Sequence, residues 1–347
     1  MSEYVISQVY PSDKRALAQI EALLEQEGIR RDRNLDYICA MFDEDYQVIA
    51  TGSCFANTLR CFAVDQAHQG EGLLNQVITH LMEVQYSRGN SHLFLYTKIS
   101  TAKFFRDLGF YEIARVEDKL VFMENRRNGF SDYLARLSKS RTDGVNGALV
   151  MNANPFTLGH QYLAETAAAQ CDTLHLFIVS EEASLVPFPV RKQLVSDGVA
   201  HLPNVICHDS GPYIISSATF PSYFLKDAED VITSHAMLDL AVFVRIAEAL
   251  SISCRFVGEE PFSQVTGIYN QVMAQRLPHA GIQCRIVPRR EADGTPISAS
   301  AVREYLKTGQ FDRLERLVPA STLDYFRSPE AEPVLERIRG AEEVRHY

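Results

Sequence analysis

The stretch that decides the fold of the larger part of this chain spans residues 147–162 and reads GALVMNANPFTLGHQY. It opens with unbroken apolar residues, 148–151, a pattern typical of a buried parallel strand. Turn-forming asparagine and proline residues follow, and Gly159 and His160 then begin a pattern with apolar residues on one helix face. The stretch therefore predicts a strand, a tight loop and a helix N-terminus, which attracts anions through its free N–H groups.

His160 admits two interpretations when this stretch is taken by itself. In the simpler one, a histidine near a helix start is part of an ordinary strand–turn–helix connection. In the other, its ring lies next to a bound anion, and Gly159 lacks the Cβ that would keep a nucleotide away from the backbone. Residues 147–162 by themselves are compatible with both interpretations.

A second pattern stands near the C-terminal end, where residues 297–303 read ISASAVR. The PxTxGH pattern of residues 155–160, directly after a buried strand, and this ISxxxVR pattern resemble the two signatures of the HxGH-type nucleotidyltransferases. Phosphopantetheine adenylyltransferase is the member most similar in pattern, because it also has threonine in place of the first histidine. The resemblance implies a Rossmann-like, doubly wound parallel sheet, and the alternation of strand and helix patterns from residue 147 onward agrees with it.

The resemblance to the nucleotidyltransferases also implies which residues bind ATP. Thr157 and His160 would contact the α-phosphate, and Arg303 would hold the β- and γ-phosphates, so these three are the predicted catalytic residues. Mg²⁺ would bridge the phosphates without an all-protein cage, so no metal-binding side chains are predicted. No general base is evident, which suits a nucleophile already ionised at neutral pH, such as a carboxylate. The further predicted ATP-binding residues are Asn152, Asn154, Pro155, Phe156, Gly159, Arg191, Lys192, Gly258, Glu259, Ser298 and Ser300.

Residues 1–130 carry the patterns of a different domain. Strand-like alternation is followed by HQGEGLL at 68–74, which opens an amphipathic helix, and by AKFFRDLGF at 102–110. These patterns resemble the GNAT acyltransferase fold, an α+β fold in which a glycine loop offers N–H groups to the pyrophosphate of acetyl-CoA. The resemblance implies that a CoA-like group binds at Gln69, Gly70 and Gly72.

Two positions depart from the GNAT pattern. Leu74 stands where the last glycine of the loop usually is, and Phe105 stands where many GNAT enzymes have the tyrosine that protonates the leaving thiolate. The resemblance therefore implies the fold but not ordinary amine acetylation. A GNAT shell that is kept as a binding module is the alternative interpretation.

Composition limits the classes of protein to which the chain can belong. Its 347 residues predict two domains, and no apolar run approaches the roughly 20 residues of a membrane helix. The N-terminus lacks the pattern of a secretory signal, and the seven cysteines include no Cys-x-x-Cys pair, so we expect a cytoplasmic protein with reduced thiols. The 44 acidic residues outnumber the 34 basic ones, and this net charge of −10 disfavours a nucleic-acid partner.

Residues 131–146 are predicted to be a basic linker between the two domains. With the preceding residues they carry an excess of arginine and lysine, which predicts a solvated surface by default and a docking site as the alternative. The nucleotidyltransferase domain is predicted to span residues 147–347 and to end in helices without assigned chemistry. Within it, residues 211–252 exceed what a minimal nucleotidyltransferase needs, so we expect a substrate-specific insert there. The basic residues of the stretch are Arg126, Arg127, Arg136, Lys139 and Arg141.

Taken over nearly its full length, the chain resembles the citrate lyase ligase family. The resemblance rests on residues 152–160, 216–226, 257–263, 269–270 and 297–303, and on a GNAT-like domain joined to a nucleotidyltransferase domain. It implies that ATP and acetate are substrates and that the partner is the citrate lyase acyl carrier subunit, whose CoA-like prosthetic group has a thiol that becomes acetylated. AMP and pyrophosphate would be released. Three alternatives stay open: an acetate ligase acting on transfer RNA, a pantetheine or nucleotide adenylyltransferase, and a regulator that senses nucleotide without turnover.

Overall fold

The computed structural model describes residues 4–32, 34–214, 220, 228–259, 264–292 and 294–341. Two patterns that support the family resemblance fall partly elsewhere. Of residues 216–226 only Phe220 is described, and residues 260–263 lie outside the described residues.

The chain divides into two compact units. The first comprises residues 1–131 with 220–234, and the second comprises residues 132–219 with 235–347. Helix α4 (Gly129–Leu137) falls within and just before the predicted basic linker, and it buries the side chains of Tyr133 and Leu137. Within the described residues, no helix combines the length and apolar character needed to cross a membrane.

The first unit is built on a seven-stranded sheet, whose strands follow the order β1-β2-β3-β4-β5-β7-β6. Its elements are β1 (Ile6–Gln8), α1 (Lys14–Gln26), β2 (Tyr37–Phe42), β3 (Val48–Phe55), β4 (Thr58–Val64), α2 (Leu73–Ser87), β5 (Phe94–Thr97), α3 (Ile99–Asp107), β6 (Tyr111–Val116) and β7 (Leu120–Glu124). Neighbouring strands are antiparallel except β4 and β5. Those two run parallel and pair only through Thr58 with Phe94 and Leu59 with Leu95. The predicted α+β character of this unit is confirmed by its mostly antiparallel sheet and its helices.

The second unit is built on a five-stranded sheet in which every neighbouring pair is parallel. The strand order is β10-β9-β8-β11-β12, so the order reverses at β8. The predicted doubly wound parallel sheet is confirmed. The remaining elements are β8 (Asn146–Met151), α5 (Leu158–Ala168), β9 (Thr173–Ile178), α6 (Phe188–Val199), β10 (Val205–Asp209), α7 (Ala228–Leu250), β11 (Ile252–Gly258), α8 (Gln264–Arg276), β12 (Gln283–Val287), β13 (Glu291–Ala292), β14 (Thr295–Pro296), α9 (Ala299–Lys307), α10 (Ala320–Arg327) and α11 (Glu332–Gly340).

The core of the second unit explains why β8 lies at the centre of its sheet. Leu149 and Met151 are buried, and they belong to one apolar cluster with residues of α5, β9, β11 and α9. A central strand of a doubly wound sheet is covered on both faces, and a short apolar run satisfies this requirement. In such sheets, ligands bind at the carboxyl ends of the strands, where the strand order reverses. The loop after β8 is therefore the place where a ligand is expected to bind.

Candidate functional site

The candidate site lies at the carboxyl ends of β8, β11 and β12 in the second unit. Because these strands are parallel, their carboxyl ends meet at one edge of the sheet. Asn152 begins the loop after β8, Gly258 ends β11, and Val287 ends β12. The predicted residues that follow β8 and β11 thus come together at this edge.

Thr157 and His160 form a reciprocal cap at the start of α5. The Thr157 hydroxyl accepts a hydrogen bond from the backbone N–H of His160 at 3.3 Å. In return, the His160 Nδ1 atom accepts from the backbone N–H of Thr157 at 3.1 Å and lies 2.8 Å from the Thr157 hydroxyl. Two of the unpaired N–H groups at the helix start are satisfied in this way. The local sequence therefore fixes the His160 ring at a helix N-terminus.

This cap determines which nitrogen of His160 carries a proton. A backbone N–H can only donate, so Nδ1 must be the unprotonated nitrogen, and the neutral ring carries its proton on Nε2. Burial and, after it, the charge of Arg289 lower the pKa of His160 to about 4. The ring is therefore a neutral Nε2–H donor at neutral pH.

The tertiary structure brings the two sequence signatures into contact. A Cβ on Gly159 would lie 3.3 Å from the carbonyl oxygen of Ile297, so glycine permits a close approach between the start of α5 and the residues before α9. Ser298 caps α9, because its hydroxyl accepts from the Ala301 N–H at 3.2 Å. Two helix N-termini thus lie beside each other, an arrangement suited to a polyphosphate.

Arg303 connects the same two signatures through its side chain. Its Nη1 atom donates to the Asn154 carbonyl oxygen, and its Nη2 atom donates to the Ser300 hydroxyl at 3.0 Å. Only 3% of the residue is exposed, and burial lowers its pKa to about 10. In this structure Arg303 therefore holds the loop after β8 against α9.

The predicted role of Arg191 in binding ATP does not agree with its position. Arg191 is fully buried, and its guanidinium donates to the carbonyl oxygens of Val186, Asn152, Val179 and Glu181 at 2.5–2.9 Å. It also donates to the side-chain oxygen of Asn152. A buried guanidinium needs such acceptors, because desolvation of an unpaired charge is costly. Arg191 is therefore a support of the loops after β8 and β9.

Several other predicted ATP-binding residues are also structural supports. Asn154 is 5% exposed, and its side-chain oxygen accepts from the Val186 N–H at 2.9 Å. Pro155 and Phe156 are buried, and Phe156 belongs to the apolar core of the unit. Their side chains shape the loop after β8, whereas Asn152, at the start of that loop, is exposed.

Lys192 lies on a different part of the edge. It is exposed, and its ammonium group donates to the carboxylate of Asp209 at 2.9 Å. Asp209 ends the edge strand β10, which β9 separates from β8. The structure therefore does not group Lys192 with His160.

Arg289 also lies at this edge of the sheet, although it was not predicted from the sequence. It follows β12 and donates from Nε to the Glu259 carbonyl oxygen at 2.8 Å. Gly258 is held from the other side, since the Asn270 side chain donates to its carbonyl oxygen at 3.0 Å. The sequence did carry a signal for Arg289, because it is the second residue after the strand 283–287, and residues that follow parallel strands lie at the same edge of the sheet.

The described residues contain no group of three or more histidine, cysteine or acidic side chains arranged to hold a metal ion. A divalent ion that arrives with nucleotide phosphates does not require such a group.

The first unit contains a cavity of about 510 Å³ where the pairing of β4 with β5 ends. The predicted residues Gln69, Gly70 and Gly72 lie in its lining, together with Lys98. Gly70 and Gly72 have φ values of 90° and 78°, which side-chain-bearing residues rarely adopt, and Gly72 immediately precedes α2. The turn therefore presents backbone N–H groups at a helix start.

Phe105 contributes to the aromatic part of this cavity. It is 4% exposed, and its ring lies 5.6 Å from that of Phe62 and 5.5 Å from that of Phe104. A phenyl ring supplies apolar surface but no proton, so this position cannot act as the general acid that a tyrosine provides.

Solved acyltransferase structures resemble part of the chain. A GNAT-family acetyltransferase from Staphylococcus aureus is 14% identical, and the likeness covers 36% of this chain and 100% of that one at a TM-score of 0.30. Glucosamine-6-phosphate N-acetyltransferase from Arabidopsis thaliana is 19% identical, with 34% and 97% covered and a TM-score of 0.29.

The similarity to named protein sequences extends over most of the chain. The citrate (pro-3S)-lyase ligase of Haemophilus influenzae is 38% identical over 91% of this chain and 96% of its own length. The proteins of the same name from Klebsiella pneumoniae and Escherichia coli are 39% and 37% identical, over 90% and 93% of this chain and 93% and 94% of their own. The model of the citrate lyase ligase C-terminal domain matches residues 146–326, which include the loop after β8 and α9. Because the chain is 37–39% identical to these proteins over nearly its full length, and because more than half of it matches the family model, it belongs to the citrate lyase ligase family.

Proposed function

We propose that this chain is a cytoplasmic, AMP-forming ligase that uses MgATP to activate acetate as acetyl-adenylate. It then acetylates the prosthetic-group thiol on the acyl carrier subunit of citrate lyase and so activates that enzyme. Residues 147–347 carry the adenylation step, and residues 1–130 receive the CoA-like prosthetic group. Membership in the citrate lyase ligase family supports the overall activity.

The single observation that carries the adenylation step is the contact between the two helix N-termini at Gly159 and Ile297. A polyphosphate is the kind of ligand that needs two such sites side by side, because its negative charges extend over several phosphate groups. In this proposal the α-phosphate lies at α5, and the β- and γ-phosphates lie at α9. Ser298 and Ser300 are at the start of α9, as such a role requires.

In the first half-reaction an acetate oxygen attacks the α-phosphorus of ATP, a new P–O bond forms, and the bond to the β-phosphate oxygen breaks. Pyrophosphate leaves with the electron pair of that bond. The neutral Nε2–H of His160 donates to the charge that develops on the α-phosphate, and the Thr157 cap holds the ring in that tautomer. Thr157 is 1% exposed, so we assign it a positioning role in place of the predicted direct contact.

In the second half-reaction the thiol sulfur attacks the acetyl carbonyl carbon, AMP leaves, and the thiol proton passes to solvent. The cavity of the first unit suits a CoA-like group, because it combines the Gly70–Gly72 turn with an apolar aromatic wall. Phe105 cannot protonate a thiolate, so we assign this cavity a binding role.

The test of the adenylation step is the exchange of labelled pyrophosphate into ATP. We expect exchange with acetate, less with propionate, and none with pantetheine phosphate or without an added acceptor. Exchange that depends on pantetheine phosphate would identify an adenylyltransferase instead. No exchange under any of these conditions would support a nucleotide-sensing regulator.

The test of the second step is transfer of labelled acetyl groups to the acyl carrier subunit, with transfer RNA as the competing acceptor. Label on the carrier, sensitive to hydroxylamine as thioesters are, is the expected result. Label on transfer RNA would contradict the proposed partner. The carrier without its prosthetic group is the matched control, because it keeps the protein surface but lacks the thiol.

A further inference from the structure

Arg289 is held at the edge of the sheet where the candidate site lies. It is the second residue after β12, and its Nε atom donates to the Glu259 carbonyl oxygen at 2.8 Å. The Glu259 N–H in turn donates to the Val287 carbonyl oxygen at 2.8 Å. These two bonds fix the residues just beyond β11 and β12 against each other.

A third bond connects this segment to the second sequence signature. The Ile297 N–H donates to the Arg290 carbonyl oxygen at 3.0 Å, and the Ile297 carbonyl oxygen is the group that Gly159 approaches. Arg289 is thus the chain neighbour of the residue that bonds to Ile297, and Ile297 is where the two helix N-termini meet. Its charge also acts on His160, where it adds to burial in favouring the neutral ring.

We propose that Arg289 is a phosphate-binding cation of the adenylation site, in the role predicted from sequence for Arg191. This inference rests on the proposed function. The guanidinium presents several N–H donors in one plane, which match the oxygens of a phosphate group. The positive charge of Arg289 also adds to burial in disfavouring protonation of the His160 ring, so the same side chain attracts the phosphates and favours the neutral Nε2–H donor.

Arg289 differs in burial and position from the three basic residues that were predicted to bind ATP. Arg191 is fully buried among carbonyl oxygens, and Lys192 pairs with Asp209 beside the edge strand. Arg303 is 3% exposed and holds the Asn154 carbonyl oxygen. Arg289 is only partly buried, and it lies where the ends of β11 and β12 meet.

The experiment compares Arg289→Gln, Arg289→Lys and the matched control Arg290→Gln in acetate-dependent exchange of pyrophosphate into ATP. Arg290 is an exposed neighbour whose backbone carbonyl, and not its side chain, holds Ile297. We expect Arg289→Gln to raise the KM for ATP by roughly tenfold or more, and Arg289→Lys to lose less because it keeps the charge. Arg290→Gln should stay within about twofold of the unchanged protein, since exposed substitutions usually have small effects.

A second measurement separates phosphate binding from a merely structural role. In the nucleotide-free protein, NMR titration should show a higher His160 pKa in Arg289→Gln than in the unchanged protein, because a neighbouring positive charge is gone. An unchanged KM and an unchanged His160 pKa in a folded Arg289→Gln variant would overturn the inference. So would equal losses in Arg289→Gln and Arg290→Gln.

Failure of the proposed function would give a different result. If the unchanged protein shows no exchange, calorimetry with inorganic pyrophosphate replaces the kinetic measurement. Weaker pyrophosphate binding by Arg289→Gln, with Arg290→Gln unaffected, would retain the phosphate-binding role without the ligase reaction. Equal binding by all variants would overturn that role as well.

Discussion

Replacement of His160 by asparagine or glutamine separates the two hydrogen-bonding roles of its ring. The asparagine side-chain oxygen can take the place of Nδ1 and accept from the Thr157 N–H, but asparagine has no group at the position of Nε2. Glutamine reaches the position of Nε2 with an amide donor, but it does not keep the acceptor at the position of Nδ1. The two variants therefore test the cap and the donor independently.

The structure gives the expected size of each effect. His160 Nδ1 has contacts of 3.1 and 2.8 Å with Thr157, so His160→Gln should lose about 1 kcal/mol of stability, and His160→Asn should lose less. Loss of one preorganised donor to developing charge costs roughly 10²- to 10³-fold in turnover, or about 3–4 kcal/mol. His160→Asn should therefore be stable but nearly inactive, whereas His160→Gln should keep more of the exchange activity.

The assays are acetate-dependent exchange of pyrophosphate into ATP and thermal unfolding followed by circular dichroism. The unchanged protein should also keep a neutral His160 throughout the range from about pH 6 to 8, since the pKa of this ring is about 4. The reasoning fails if folded His160→Asn exchanges pyrophosphate as fast as the unchanged protein, because the Nε2–H would then do nothing for the reaction.

Three further predictions concern other parts of the chain. Gly198→Ala should lower stability by about 1–3 kcal/mol in urea unfolding, because its Cβ would collide with the ring of Phe156; unchanged stability would mean that the two elements can move apart. In the buried pair His175 and His208, the Nδ1 atom of the first lies 2.9 Å from the Nε2 atom of the second, and burial lowers the pKa of each ring from 6.5 to about 4. Below about pH 6.5 the folded protein thus binds fewer protons than the unfolded chain. The free energy of unfolding should therefore be highest above about pH 6.5 and should fall by about 2 kcal/mol per histidine between pH 7 and 5. A free energy of unfolding that stays flat over that range, measured by urea unfolding, would contradict this prediction. Gly72→Asp should slow acetylation of the acyl carrier but leave acetate-dependent exchange unchanged, since a carboxylate at the turn repels a pyrophosphate group; parallel loss of both activities would refute the proposed division between the units.

The sequence predicted most of what is decided by neighbours along the chain. The run 148–151 predicted a strand because an unbroken apolar run suits a strand covered on both faces, and Gly159 and His160 predicted the helix start that follows it. The Gly70–Gly72 turn was likewise visible, because its positive φ values need glycine.

The positions and contacts of the arginines became visible only in the tertiary structure. The sequence could not distinguish Arg191, which is buried among carbonyl oxygens, from Arg289, which follows β12 at the sheet edge. Both are arginines next to a strand or a helix start, and only the packing of distant segments decides which guanidinium is desolvated and which faces the edge. The bond from Arg303 to Asn154 joins residues 149 positions apart. The sequence by itself thus determined two helix N-termini. The tertiary structure decided that they meet, because only the order of the parallel strands brings the loops at their carboxyl ends to one place.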